Sequence, residues 1–279
     1  MSGDIAFTEI APEVYVLRYP VLDVNVTLVL GGEAAVVVDT LSTEGQAREL
    51  LDAVRRVTAL PVVIVNTHHH FDHCFGNGVL AAAYPGCGIW AHEAAATVLR
   101  EDAARLQRLW YEEWRPTHPE LADGLAAVDV VPPNRTVHTE SIMDIGGRTL
   151  ELRHLGRGHT EGDLVLAVPD ASVLLAGDLV EQGGPPSFGD SYPLNWPGTM
   201  TALLHDVSPA TAVVPGHGSV VDVDFVRAQH DELTALAWLI RDGDADGAAP
   251  EAVAAKAPFG LKVAITAIKR GYAELAGRI

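Results

Sequence analysis

The sequence has few of the features that mark secreted or membrane-spanning proteins. Its 279 residues include only two cysteines, too few for a disulfide framework, which favours a reducing cytoplasm. No run approaches the roughly 20 apolar residues that a membrane helix needs. The N-terminus has no basic segment followed by an apolar one, so we expect no signal peptide.

Positive charge is also scarce. The chain has 19 lysines and arginines against 37 acidic residues, a net charge of −18. Nucleic acids and anionic membranes are polyanions, so we expect neither as a partner and expect a small-molecule substrate instead. No linker-like segment divides the chain, which predicts a single domain over 1–279 with C-terminal helices from about 222. The oligomeric state is left open.

The regular elements can be predicted from hydrophobic periodicity and turn residues. Strands are expected at 14–19, 24–30 and 34–39, forming a β-meander, and a hairpin is expected on either side of Gly146 and Gly147. Helices are expected at 43–57, capped by Ser42 or Thr43, and at 75–84, 225–240 and 261–275, with a solvated loop at 242–247.

Four histidines and one aspartate stand in the six residues 68–73. They directly follow the apolar run 60–65, which predicts a buried strand. Neutral imidazole and carboxylate are ligands that zinc and similar divalent metals prefer. A turn after a buried strand can direct His68 and His70 toward one ion while Asp72 and His73 reach a neighbouring position. The segment therefore predicts a metal site.

Three more ligand-type residues follow predicted strands. His159 lies in a Gly-His-Thr sequence, Asp178 follows the apolar run 172–175, and His217 follows the run 211–214. Each stands beside glycine, which permits unusual backbone angles. Four strand ends that offer histidine or aspartate predict a metal site at the edge of a sheet.

The order HxHxDH, GHT, GD and PGHG resembles the metallo-β-lactamase fold superfamily of hydrolases over roughly residues 14–220. The resemblance implies an α/β (α+β) class fold, an αββα sandwich of two mixed β-sheets with helices on both outer faces. It also implies two Zn²⁺ ions per chain, although iron or manganese is not excluded. The implied ligands are His68, His70 and His159 for the first ion and Asp72, His73 and His217 for the second, with Asp178 bridging the two.

Two neighbouring ions of this kind favour hydrolysis. They can share a water, lower its pKa toward neutrality and polarise a carbonyl or phosphoryl oxygen. Asp72 is the predicted catalytic residue, because it would orient the bridging hydroxide and pass a proton to the leaving group. We therefore expect a dinuclear zinc hydrolase that acts on a small ester, thioester, lactone or phosphodiester.

Three alternatives remain open. The family's β-lactamases usually carry Cys or Ser near the position of Asp178, so the aspartate favours the thioesterase, lactonase and phosphodiesterase branches over a β-lactamase. The family's persulfide dioxygenases bind one iron through residues that match His68, His159 and Asp178, but the complete second site here favours hydrolysis. A non-enzymatic metal-binding module would be distinguished by a lack of turnover.

Substrate-binding residues are predicted in segment 183–196, which begins soon after Asp178. Its Gly-Gly-Pro-Pro start predicts an irregular path. We expect the aromatic residues Phe188, Tyr192 and Trp196 to line a pocket. The alternative is that they anchor the segment on a following helix at 199–206.

Two further features have two interpretations each. Arg157, two residues before His159, could bind a substrate carboxylate or pair with a nearby acid. Residues 94–115 could form a lid, or an amphipathic helix that packs on the core through Trp110 and Trp114, which are four residues apart.

Overall fold

The computed structural model describes residues 5–279, which divide into two compact units. The first unit comprises the described residues up to His154 together with Leu164–Val173. The second comprises Leu155–Asp163 and Leu174–Ile279. The expectation about a signal peptide falls largely on residues 1–4, outside the described residues. The single-domain organisation stays a prediction.

The first unit contains ten strands and six helices among its described residues. Its strands are β1 (Thr8–Ala11), β2 (Val14–Tyr19), β3 (Val24–Leu30), β4 (Ala35–Val38), β5 (Val62–Val65), β6 (Ile89–His92), β7 (Arg135–Val137), β8 (Glu140–Asp144), β9 (Thr149–Arg153) and β10 (Val165–Val168). Its helices are α1 (Glu44–Val57), α2 (Phe71–Cys74), α3 (Asn77–Ala83), α4 (Glu93–Glu101), α5 (Ala103–Trp114) and α6 (Pro119–Ala127), and a single 3₁₀ turn follows at Pro169–Ala171.

The strands of the first unit form one mixed group, β1 to β7, and one antiparallel group, β8 to β10. Strands β1 to β4 pair antiparallel, and the predicted meander is confirmed. Strands β4 to β7 then pair in parallel, while β8, β9 and β10 pair antiparallel. Because parallel strands point their carboxyl ends the same way, the residues that follow β4, β5 and β6 reach one edge of the sheet.

Helix α1 shows why the sequence folds as it does around this sheet. Thr43 has extended backbone angles, and its side chain accepts a hydrogen bond from the Gln46 amide, so it is the N-cap that the sequence predicts. Ala47, Leu50 and Val54 repeat at helical spacing and are buried with the sheet residues in one core cluster. This apolar face holds α1 against the sheet.

The helix predicted at 75–84 is wrong in its bounds. The structure has a short helix α2 that begins at Phe71, inside the histidine-rich segment, and a separate helix α3 from Asn77. Gly76 joins them, and a Cβ there would lie 1.9 Å from the Thr40 carbonyl oxygen. Only glycine allows this close approach of the two backbones, which interrupts the helix.

Residues 94–115 form two helices, α4 and α5. The ring contacts of the two tryptophans on α5 favour the packed helix over the lid. The Trp110 ring lies 5.1 Å from Phe71 and 5.4 Å from Phe75 between ring centroids. Trp114 packs on Phe71 at 6.1 Å. Helix α5 is therefore an amphipathic helix held on α2 by its tryptophans.

The second unit contains two neighbouring strands and four helices among its described residues. They are β11 (Val173–Glu181), α7 (Trp196–His205), β12 (Ala212–His217), α8 (Val223–Ala245), α9 (Pro250–Ala254) and α10 (Leu261–Leu275). The helix predicted at 261–275 is confirmed. The loop predicted at 242–247 is wrong over its first four residues, because α8 continues to Ala245 with Gly243 buried against Val253 and Tyr272.

Across residues 5–279, every helix is too short or too polar to span a bilayer.

Candidate metal centre

The ligand loop of the first unit begins just past the end of β5. His68 and His73 are buried, and Asp72 and His73 lie on helix α2. The His68 ring centroid is 4.7 Å from that of His70 and 4.3 Å from that of His73. Asp72 Oδ2 lies 3.8 Å from His73 Nε2. The structure thus brings the four predicted ligands of this segment together in one group, in which His70 is partly exposed and the other three are buried.

Asp39, which was not singled out from the sequence, orients two of these histidines. Its carboxylate lies 2.7 Å from His73 Nδ1 and accepts hydrogen bonds from the Thr67 amide and hydroxyl, each at 2.8 Å. The Thr67 hydroxyl is in turn 3.0 Å from His68 Nδ1. Because Nδ1 of each ring is engaged, Nε2 is the nitrogen left to act as a ligand.

Burial governs the protonation of Asp39. The side chain is buried, and this desolvation raises the pKa of the Asp39 carboxyl, while His73 and the hydrogen bonds from Thr67 lower it. The sequence gives one indication of Asp39, which ends the predicted strand 34–39, much as the other ligand-type residues follow predicted strands.

The second unit carries the other three predicted ligands on three separate segments. His159 lies in the loop 155–163, Asp178 lies within β11, and His217 is the last residue of β12. Asp178 Oδ2 is 3.4 Å from His159 Nε2 and 3.3 Å from His217 Nε2. A Cβ at Gly216 would lie 1.8 Å from Asp178 Oδ1, so the glycine beside His217 is what allows the β12 backbone to approach this carboxylate.

These separations fit a metal. Zinc binds histidine nitrogen and carboxylate oxygen at about 2.1 Å in tetrahedral geometry, which places two ligand atoms about 3.4 Å apart. Both distances from Asp178 Oδ2 match this value. All seven predicted ligands belong to groups of histidine and aspartate that could hold a metal ion.

Two residues that the sequence did not indicate lie beside the histidines of the second unit: Glu181, the last residue of β11, and Gln182, which follows it. Glu181 Oε1 lies 3.6 Å from His159 Nδ1. The Gln182 amide donates to the His217 carbonyl, and its side-chain oxygen accepts a bond from the Ser219 amide. Nothing in the sequence distinguishes this Glu-Gln pair, because its role depends on β11 lying beside β12.

Cys74, next to His73, supports the loop. Its thiol donates to the carbonyls of His69 and His70, and burial raises the pKa of the Cys74 thiol well above its usual value. A neutral buried thiol is a poor metal ligand.

The predicted substrate residues differ in their surroundings. Trp196 and Phe188 are 0% and 2% exposed, and Phe188 packs between Trp196 and Phe259. Trp196 also donates from its indole to the Leu179 carbonyl. This burial favours the alternative in which these two residues anchor segment 183–196, which is irregular as predicted.

Tyr192 and Arg157 are more accessible. Tyr192 is partly buried, and burial raises the pKa of its hydroxyl, as does nearby Glu161. Arg157 is half-exposed and pairs with Glu161 at 2.9 Å, as one of its two sequence interpretations expects.

Comparisons with known proteins agree with this geometry. Residues 19–218 match the model of the metallo-beta-lactamase superfamily. The human acyl-coenzyme A thioesterase MBLAC2 is 29% identical over 217 residues, 69% of this chain and 72% of that protein. The metallo-beta-lactamase type 2 of Bacillus sp. (strain 170) is 27% identical over 191 residues, 67% of this chain and 63% of that relative, a little under two thirds of its length.

Among solved structures, a metallo-beta-lactamase from Pontibacter korlensis superposes with a TM-score of 0.67 at 23% identity, covering 82% of this chain and 99% of that chain. This likeness shows the fold and confirms the predicted αββα class. The match over residues 19–218, together with its histidine and aspartate metal-binding groups, shows that the chain belongs to the metallo-β-lactamase superfamily of hydrolases.

Proposed function

We propose that this protein is a dinuclear zinc hydrolase that cleaves a thioester of a small acyl group. The observation that carries the proposal is the position of Asp178 Oδ2, which is almost equally distant from a nitrogen of His159 and a nitrogen of His217. A carboxylate shared by two histidines in this way suits a ligand that bridges two ions.

The proposed ligand assignment follows the sequence motif. His68, His70 and His159 would hold the first ion, and Asp72, His73 and His217 would hold the second, with Asp178 between them. Within the first unit, the Asp39 and Thr67 bonds support this assignment, because they orient His68 and His73 with Nε2 as the donor.

The chemistry would be shared between metal and protein. When bound, two zinc ions would supply a water of lowered pKa and polarise the thioester carbonyl. Asp72 would accept a hydrogen bond from the attacking water, hold its proton on a carboxylate oxygen and pass it to the leaving sulfur. Trp110 would keep bulk water from one side of His70, since its ring lies 6.1 Å from that imidazole.

The thioester is favoured over the ester, lactone and phosphodiester that the site could also accept. Its support is the similarity to a protein named as an acyl-coenzyme A thioesterase and the presence of aspartate at position 178. A β-lactamase is the second candidate, because the type 2 metallo-beta-lactamase of Bacillus sp. (strain 170) is similar over 67% of this chain.

A cytoplasmic location is part of the proposal. Its support is that Cys74 and Cys87 are unpaired thiols, as expected in a reducing compartment.

Metal analysis and a substrate panel test the proposal together. Protein grown without metal supplementation should contain zinc near two per chain, whereas iron near one per chain would indicate an oxygenase instead. The zinc-loaded protein should hydrolyse acyl-coenzyme A faster than a β-lactam, a lactone or a phosphodiester. Faster turnover of the β-lactam would replace the thioester proposal with the second candidate.

A further inference from the structure

Two guanidinium groups flank the Tyr192 ring in the second unit. The Arg157 Cζ lies 4.8 Å from the ring centroid, and the Arg270 Cζ lies 5.8 Å from it. Arginine stacks well on aromatic faces, because its planar guanidinium is weakly hydrated. In a chain of net charge −18, two arginines on one ring form an unusual concentration of positive charge.

Arg270 holds the backbone segment that carries the Tyr192 ring. It donates hydrogen bonds to the carbonyls of Asp190 and Ser191. Glu274 accepts a bond from the Leu194 amide, and the Tyr192 amide donates to the Gly158 carbonyl. Helix α10 and the loop before His159 thus fix residues 190–194, and the Tyr192 ring is held in place by its own backbone.

Arg157 is placed differently. Its carbonyl accepts a bond from the Thr199 hydroxyl, which fixes its backbone, but its side chain is 46% exposed. The guanidinium pairs with Glu161, itself half-exposed. An exposed ion pair of this kind is weak, because water screens both charges, so another anion can displace Glu161 at little cost. A guanidinium has five N–H donors, so the contact with the Tyr192 ring and the bond to Glu161 do not use all of them.

Arg157 also lies near the proposed reaction. It is two residues from His159, so their Cα atoms are within about 8 Å of each other. A substrate that contacts His159 and extends along this loop would meet a half-exposed guanidinium whose backbone is held by Thr199.

We propose that Arg157, stacked on Tyr192, is a recognition site for an anionic group of the substrate, a carboxylate or a phosphate. Arginine binds both through paired hydrogen bonds. The inference rests on the proposed thioester hydrolysis, in which the anion is either a carboxylate on the acyl group or a phosphate on the thiol that leaves. Glu161 occupies the same guanidinium until the substrate arrives.

Three matched thioesters test whether the anionic group lies on the acyl group or on the leaving thiol. One has a neutral acyl group and a neutral thiol, the second adds a carboxylate to the acyl group, and the third adds a phosphate to the thiol. Arg157→Leu should lower kcat/KM about ten- to hundredfold for one of the anionic substrates, the usual effect of losing hydrogen bonds to a charged group. The neutral thioester should be unaffected. Glu161→Gln should act in the opposite direction and raise kcat/KM for that same anionic substrate.

Arg227→Leu is the matched control. Arg227 is also exposed and paired to an acid, Asp224, but it lies on helix α8 away from the Tyr192 ring contacts. All three variants should keep the zinc content and melting temperature of the wild type. An unchanged preference in both Arg157→Leu and Glu161→Gln overturns the inference.

Binding without turnover separates this inference from the proposed function. Calorimetry would compare phosphopantetheine with pantetheine and glutarate with butyrate, because each pair differs by one anionic group. The wild type should favour the anionic member of one pair, and Arg157→Leu should lose that preference. If no thioester is hydrolysed, the proposed function fails, and the binding comparison still decides the role of Arg157. Equal preferences in wild type and variant reject that role.

Discussion

The two units supply their predicted metal ligands in opposite ways. In the first unit, four predicted ligands lie within the six residues 68–73, and Asp39 and Thr67 orient two of them, His73 and His68, through short hydrogen bonds. In the second unit, His159, Asp178 and His217 come from segments far apart in sequence and meet because β11 lies beside β12.

Each group of predicted ligands should therefore be most sensitive to substitution at a different place. The first group depends on local geometry and on the buried carboxylate of Asp39, so its most sensitive positions are the residues that orient its histidines. The second depends on strand pairing, and its weak point is Asp178, the residue that touches both histidines.

Asp178→Ala should have the largest effect. In the proposed centre it removes a ligand from both ions, so zinc should fall well below one per chain by elemental analysis. His68→Ala and His159→Ala each remove one ligand from the first ion and should keep about one zinc per chain. Full loading with two ions in either histidine variant would contradict the ligand assignment.

Asp72→Asn should reduce kcat by roughly two or more orders of magnitude with a much smaller change in KM, because the amide cannot accept the proton of the attacking water. Steady-state kinetics at measured, matched zinc content gives the comparison. Near-normal turnover at full loading would make Asp72 a structural ligand only.

Asp39→Asn should weaken zinc affinity by about 10- to 100-fold, the usual range for partners that orient a ligating histidine. Thr67→Val should have a smaller effect, because Thr67 contacts only His68 of the two histidines. Competition with a chromophoric chelator measures both. Affinities equal to the wild type would show that the loop is oriented without this carboxylate.

Glu181→Gln should have a smaller effect than Asp39→Asn, less than about tenfold in zinc affinity, because the carboxylate is 3.6 Å from His159 Nδ1 and not in hydrogen-bond contact. The same chelator competition applies. A larger loss than in Asp39→Asn would reverse the contrast between the two units.

His92 should give a modest dependence of stability on pH. Burial, and then the charge of His154, lower its pKa from 6.5 to about 4, with His138 and Glu93 also close. The unfolded chain therefore binds a proton in this range that the folded chain does not. The free energy of unfolding should not depend on His92 above about pH 6.5, and it should decrease as the pH falls from 6.5 toward 4.

His92→Asn tests this assignment. Asparagine can still accept the Ala94 amide bond that caps α4, but it does not titrate. The denaturant midpoint should fall less between pH 7 and pH 5 in the variant than in the wild type. Identical shifts would exclude His92 as the group responsible.

Sequence patterns located the groups of histidine and aspartate that could hold a metal ion, because metal chemistry uses few residue types and strand ends with glycine are easy to recognise. They did not locate Asp39 or Glu181, whose roles depend on which strands are neighbours. The split between α2 and α3 was missed because it depends on the contact of Gly76 with Thr40, a residue distant in sequence. The extension of α8 was missed because Gly243 breaks helices in general, yet here its lack of a side chain is what lets Val253 and Tyr272 pack.

Aromatic residues were the least predictable. Composition alone cannot separate a pocket wall from an anchor, and Phe188 and Trp196 proved to be buried against each other. Arg157 pairs with an acid, as one of its two sequence interpretations expected, but its position over the Tyr192 ring depends on the support from α10 and has no signal in the sequence.

The contact of Gly76 with the end of β4 has a consequence for the metal-free protein. The Thr40 amide donates to the His73 carbonyl, the His73 amide to the His70 carbonyl, and the Gly76 amide to the Leu41 carbonyl. These bonds join the ligand loop to the sheet through the backbone alone. Metal uptake by the first unit should therefore require little coupled folding, and the amide hydrogens of Thr40, His73 and Gly76 should exchange slowly even after chelation.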